Sequence, residues 1–147
     1  MIMKTKILSV LMFFALAFLS CKKDNDKVNF LTSKTWKLAL VDKNTSTNPL
    51  TNPAGRVVYY AIQDFEKDDT FKFGADGKLT INRGALKSSA DQQQTEIQNY
   101  SFNSTTQELT INTGKYTLAE QSEKQLKYYV PIAANGMSPQ YLIYIFE

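Results

Sequence analysis

The chain has 147 residues, with 17 Lys and Arg against 14 Asp and Glu, one Cys and no His. That length fits one domain, and the missing His and second Cys exclude Ser-His-Asp and Cys-His machinery, Cys/His zinc sites and disulfides. Without residues 1–20 the balance is 15 basic to 14 acidic side chains, near neutral, which argues against nucleic acid as a partner.

Residues 1–20 read as an export signal. Lys4 and Lys6 precede a 13-residue run, Ile7 to Leu19, that is apolar except for Ser9. As a helix that run would span about 20 Å, short of the ~30 Å hydrocarbon core of a bilayer. A positive start, a short apolar middle and the small Ser20 before the cut describe a secretory signal. The sole Cys, Cys21, follows at once. Residues 22–27, Lys-Lys-Asp-Asn-Asp-Lys, hold no apolar side chain and read as a solvated tether, giving a tether region of 21–29 and a domain of 30–147.

Val28, Phe30 and Leu31 form an apolar cluster behind Asp24, Asn25 and Asp26, which predicts one or two turns of helix. Thr35 to Val41 then alternates, with Trp36, Leu38 and Leu40 sharing one face of an expected strand. Asp42 to Gly55 reads as a long loop, and Arg56 to Phe65 as an irregular strand or single turn. Thr70 to Phe73 and Lys78 to Asn82 flank Gly74-Ala75-Asp76-Gly77 and predict a hairpin with Asp-Gly turn chemistry. Gly84 to Gln94 is polar. Strands are expected over Glu96–Asn103, Glu108–Asn112, Lys115–Glu120, Gln125–Ile132 and Gln140–Phe146, with a Pro/Gly loop over Ala133–Pro139. Short strands with regular turns and no long helix imply an antiparallel barrel or sandwich. The inward positions are large: Trp36, Leu38, Leu40, Phe71, Phe73, Leu79, Ile81, Tyr100, Phe102, Leu109, Ile111, Tyr116, Leu118, Leu126, Tyr128 and Val130. An eight-stranded barrel so lined is expected to be mostly packed, with a shallow cup at one mouth.

Phe18-Leu19-Ser20-Cys21 resembles the lipobox of bacterial lipoproteins. That resemblance implies diacylglycerol and an acyl chain on Cys21 and no other cofactor. Leu31-Thr32, Trp36-Lys37-Leu38, Asp68-Asp69-Thr70-Phe71-Lys72-Phe73, Asp76-Gly77 and Leu126-Lys127-Tyr128, in that order, resemble the lipocalin-like lipoprotein domains of Bacteroidetes. The resemblance implies an all-β, antiparallel, up-and-down eight-stranded barrel with a short N-terminal helical turn. It also implies an outer-membrane lipoprotein, periplasmic or surface-exposed. Lipocalins proper place a Gly two residues before the first-strand Trp and stack an Arg on that Trp; here Lys34 occupies the Gly position, and Lys127 is the late cation that could substitute for the Arg.

Trp36 is either a ligand-cup floor or a core plug. Tyr59-Tyr60 and Tyr128-Tyr129 are adjacent pairs, so each places one ring on each face of its strand; the exposed ring of such a pair suits sugars or protein partners. Asp64, Glu66, Asp68 and Asp69 form an acidic cluster that reads as capping and turn chemistry rather than a metal or glycosidase site. The last strand is apolar on both faces, so Tyr141, Ile143 and Ile145 need a cover, either the N-terminal turn or a partner chain. Together these residues predict a membrane-anchored, non-catalytic binding module for a small apolar or glycan ligand. The alternative is a packed barrel that docks on another envelope protein.

Overall fold

A computed structural model describes residues 26–50, 57–132 and 140–147 of the chain. The expected signal, Cys21, most of the tether, the end of the first long loop and the Ala133–Pro139 loop lie outside the described residues. Among the described residues one helix, α1 (Asp26–Ser33), precedes eight strands: β1 (Val57–Tyr59), β2 (Thr70–Phe73), β3 (Lys78–Asn82), β4 (Thr95–Asn103), β5 (Glu108–Ile111), β6 (Gly114–Gln121), β7 (Leu126–Ile132) and β8 (Gln140–Phe146). Single 3₁₀ turns lie at Thr45–Thr47 and Asp64–Glu66. Among the described residues, no helix is long and apolar enough to cross a membrane. α1 starts inside the stretch read as tether.

All eight strands form one sheet in the order β1-β8-β7-β6-β5-β4-β3-β2. From β2 to β8 each strand pairs antiparallel with the next. The exception is β1, which lies parallel to β8, with Val57 opposite Tyr141 and Tyr59 opposite Ile143. The strand count matches the expectation, but β1 belongs to the sheet where the Trp36 strand was expected. The β2–β3 hairpin turns at Gly77, whose φ of +75° is open to glycine without steric cost.

The expected strand over Thr35–Val41 is reduced to two bridges. Trp36 pairs with Phe71 of β2, and Leu38 pairs with Phe146 of β8, both antiparallel. β2 and β8 do not pair with each other. The reason the strand stops is competition for one edge. Residues 37–39 bond to the last residues of β8, with Ala39 N–H donating to Ile145 O at 2.8 Å, while Tyr60 N–H already occupies Ile143 O. The chain therefore bends outward, and Leu40, expected inward, is 72% exposed.

The core gathers Leu31, Trp36, Phe73, Leu79, Ile81, Leu109, Leu118, Leu126, Tyr128 and Phe146 on one side of the sheet. Phe71, Tyr100, Phe102, Ile111, Tyr116 and Tyr144 pack against them. Period-two alternation puts these residues on one face: along β4, Glu96, Gln98, Tyr100 and Phe102 are sheltered and their neighbours exposed. Each buried aliphatic side chain contributes about 1.5–3 kcal/mol of transfer free energy.

β6 carries one irregularity. Leu118 faces Tyr128, but Glu120 faces Lys127, so Ala119 is an extra residue. The bulge moves Glu120 onto the face that Lys127 occupies, away from the core.

Candidate functional site

Three adjacent strands supply an aromatic cluster. Tyr116 (β6), Tyr128 (β7) and Tyr144 (β8) occupy core-facing positions, and Tyr128 stands opposite Tyr144 in the ladder. Tyr116 and Tyr128 are 5.0 Å apart between ring centroids, and Tyr128 and Tyr144 are 5.1 Å apart. Tyr60, just past β1, stacks on Tyr144 at 4.7 Å and 27°. Below them Tyr128 meets Phe146 at 5.3 Å, and Phe146 meets Phe71 at 5.2 Å. The set thus steps from the packed core to half-buried rings at Tyr116, Tyr144 and Tyr60.

A polar border adjoins these rings. The Tyr60 hydroxyl donates to both oxygens of Glu66, each at 2.9 Å. Glu66 is held by its own 3₁₀ turn, accepting the Gln63 N–H at 2.9 Å in a capping box. Burial, then the Glu66 carboxylate, pushes the Tyr60 hydroxyl up to about 12. Arg83 also acts on that hydroxyl, in the opposite sense. Its guanidinium forks between Asp69, at 2.6 Å, and Glu96, at 2.5 Å. Asp69 is fully buried and also accepts the Gly84 N–H. The Gln98 amide, with Arg83, holds the Glu96 carboxyl below its usual range against its partial burial. Burial and then Tyr116 raise the Tyr144 hydroxyl, with Glu66 adding to the effect.

The acidic cluster of the sequence is dispersed among partners. Asp64 pairs with Lys67, Glu66 with Tyr60, Asp68 with the Ala85 N–H, and Asp69 with Arg83. No three such groups converge on a point among the described residues.

A second polar centre lies on the opposite face of β7. Lys127 is fully buried there. Its ammonium donates to both Asp42 oxygens at 2.9 Å, to Asn48 Oδ1 at 2.8 Å and to Asn44 O at 2.6 Å. Asp42 also accepts from the Asn44 N–H, the Tyr59 hydroxyl and Gln125. Burial pushes the Asp42 carboxyl up, but these hydrogen bonds, led by Lys127, outweigh it and leave the carboxyl below its usual value. The network straps the Asp42–Leu50 segment over the sheet.

Of the expected ligand residues only Tyr60 and Tyr128 share a cluster. Trp36 is fully buried in the core, its indole N–H donating to Leu31 O at 3.0 Å. Lys127 does not stack on Trp36. Lys34 does, with its ammonium 4.3 Å from the ring centroid. Tyr60 and Tyr128 join the aromatic cluster. Tyr59 turns to the other face, 40% exposed, between Asp42 and Asn48. Tyr129 meets Tyr141 edge-on at 5.2 Å. Ile143 and Ile145, expected under the helical turn or a partner, instead line a small pocket with Leu38, Ala39, Leu40, Tyr59, Tyr60 and Ile62 of the same chain.

Glu66, Arg83, Asp42 and Lys127 were not legible as a site. A lysine on the polar side of an alternating strand reads as solvated, and no local pattern marks this one as buried. Compared with protein-family models, curated proteins and solved structures, the chain matches none.

Proposed function

We propose that the protein is a lipid-anchored, non-catalytic binding module of a Gram-negative envelope, built as a lipocalin-like barrel. In this reading Trp36–Leu38 is the closing strand between β2 and β8, and Cys21 carries the acyl anchor. The observation that carries it is the stepped tyrosine cluster, with Tyr60 stacked on Tyr144 at 4.7 Å and its hydroxyl held by Glu66. Ring faces beside fixed polar groups suit the apolar face and hydroxyls of a sugar. The filled core below leaves no path for a long acyl chain, so a ligand would be small and bind at the rim.

The test is titration of the full-length protein, in detergent, with soluble oligosaccharides and with a long-chain fatty acid. The expected result is saturable oligosaccharide binding, weakened about tenfold by Tyr60→Ala, the upper worth of one aromatic stack. Fatty-acid binding that shifts Trp36 emission, or no saturable binding of any sugar, overturns it. Cys21→Ala is expected to move the protein from the membrane fraction to the soluble one.

A docking module is the second reading, favoured by a groove of about 320 Å³ lined by Leu38, Ala39, Leu40, Val41, Ile62, Lys67 and Glu147. Leu40 and Val41 are 72% and 67% exposed beside it. Leu40→Asp that displaces a defined envelope partner while sparing sugar binding would favour this reading.

A further inference from the structure

Lys127 is an unusual lysine for an exported β domain. Its side chain is 0% exposed, and that of Asp42 is 5% exposed. The ammonium touches a carboxamide as well as a carboxylate: Asn48 Oδ1 lies 2.8 Å from Nζ, and both Asp42 oxygens lie 2.9 Å away. Asn48 Nδ2 donates to the Tyr59 hydroxyl at 2.9 Å, and that hydroxyl donates to Asp42 Oδ2 at 3.1 Å. The four groups form a closed ring.

We propose that Lys127 and Asn48 are joined by an intramolecular amide bond, formed with loss of ammonia, with Asp42 as the proton carrier.

The chemistry balances without a co-reactant. Lys127 Nζ passes a proton to Asp42, and its freed electron pair adds to Asn48 Cγ. Asp42 returns that proton to Asn48 Nδ2. The Cγ–Nδ2 bond breaks, and the second proton shed by Nζ leaves with the amine, so the product is ammonium. The overall charge is unchanged, and nothing is oxidised or reduced.

Three features favour the step. The nucleophile and the carbonyl are held in contact by separate elements. Lys127 is pinned between Glu120 and Ile145 in the ladder, and Asn48 closes the 3₁₀ turn through its N–H to Thr45 O. Such pre-positioning replaces a slow bimolecular encounter. The Lys127 and Asp42 side chains are withdrawn from water, which keeps solvent from competing with the amine for the proton carrier. Asn48 is the better acyl partner than Asp42, because an ionised carboxylate is a poor electrophile and Asp42 is held ionised by its hydrogen bonds, while its oxygens remain in place to carry a proton. The product would staple the Asp42–Leu50 strap to β7.

The experiment is tryptic digestion, after denaturation, of the full-length wild-type protein purified in its folded state, with mass spectrometry of the peptides. A joined chain gives residues 44–56 attached through an uncut Lys127 to residues 125–147, lighter by one ammonia than the two peptides together. Asp42→Asn is expected to abolish the linked species and to leave Lys127 open to trypsin. Recovery of free 44–56 and 125–127 from the wild type overturns the proposal. A link to residues 38–43 with loss of water overturns Asn48 as the acyl partner.

Discussion

Trp36 and Phe71 exchange both backbone hydrogen bonds, each at 2.8 Å. One residue on, Lys37 and Glu147 do the same at 3.0 and 2.9 Å. A stretch of two residues therefore bonds to β2 with one carbonyl–amide pair and to β8 with the next. It also drops its indole into the core, where Leu31 O receives the indole N–H. Helix, both ends of the antiparallel ladder and the C-terminus meet at this tryptophan.

Trp36→Ala is accordingly expected to cost about 3–5 kcal/mol, the usual loss for a large buried aromatic. Trp36→Phe keeps most of the apolar area but orphans Leu31 O, at about 1 kcal/mol. Urea titration followed by far-ultraviolet dichroism distinguishes the two. A loss below about 1 kcal/mol for Trp36→Ala would contradict its burial.

Arg83 and Asp69 form the second point of leverage. Asp69 has no exposure, so Arg83→Ala strands a buried carboxylate and should cost about 3–5 kcal/mol. Glu96→Gln removes only a partly exposed partner and should cost under about 1 kcal/mol. The double variant Arg83→Met, Asp69→Leu should recover most of the loss. Similar midpoints for Arg83→Ala and Glu96→Gln would place the weight of the network elsewhere.

The pH dependence has two arms. Glu96 has a folded-state carboxyl below its ordinary value, held there by Gln98 and Arg83. Its contribution is present above the unfolded value of about 4.3 and is lost as pH falls through the lower folded one. Glu96→Gln should flatten that part of the acid limb. Tyr60 is raised to about 12 by burial and by Glu66. Its contribution is complete below the unfolded value of about 10 and is lost as pH rises toward the folded one. Ultraviolet titration of tyrosinate should show one late hydroxyl fewer in Tyr60→Phe.

At the β2–β3 turn, Gly77 holds φ at +75° and would set a Cβ 3.2 Å from Tyr100 O. Gly77→Ala should cost about 1–2 kcal/mol through left-handed strain alone, before the contact is counted. Ala75→Ser, in the same turn but exposed, should leave the denaturation midpoint unchanged.

Much of the ladder was legible in the residues themselves. Leu79/Ile81, Tyr100/Phe102, Leu109/Ile111 and Leu126/Tyr128 alternate with polar neighbours, and a side-chain period of two assigns them to one face without knowledge of the partner strand. Asp76-Gly77 fixed the first hairpin for the same local reason, and Gln140–Phe146 was bounded by its own composition. The parallel placement of β1, the end of pairing at Ala39 and the outward turn of Leu40 were decided by the tertiary structure. They depend on which chain segment takes the single free edge of β8, and no local pattern encodes that competition. Lys127 belongs to the same class. Alternation placed it correctly on the face opposite Leu126 and Tyr128, but whether that face meets water or the Asp42–Leu50 strap is settled only when residues more than eighty positions apart are brought together.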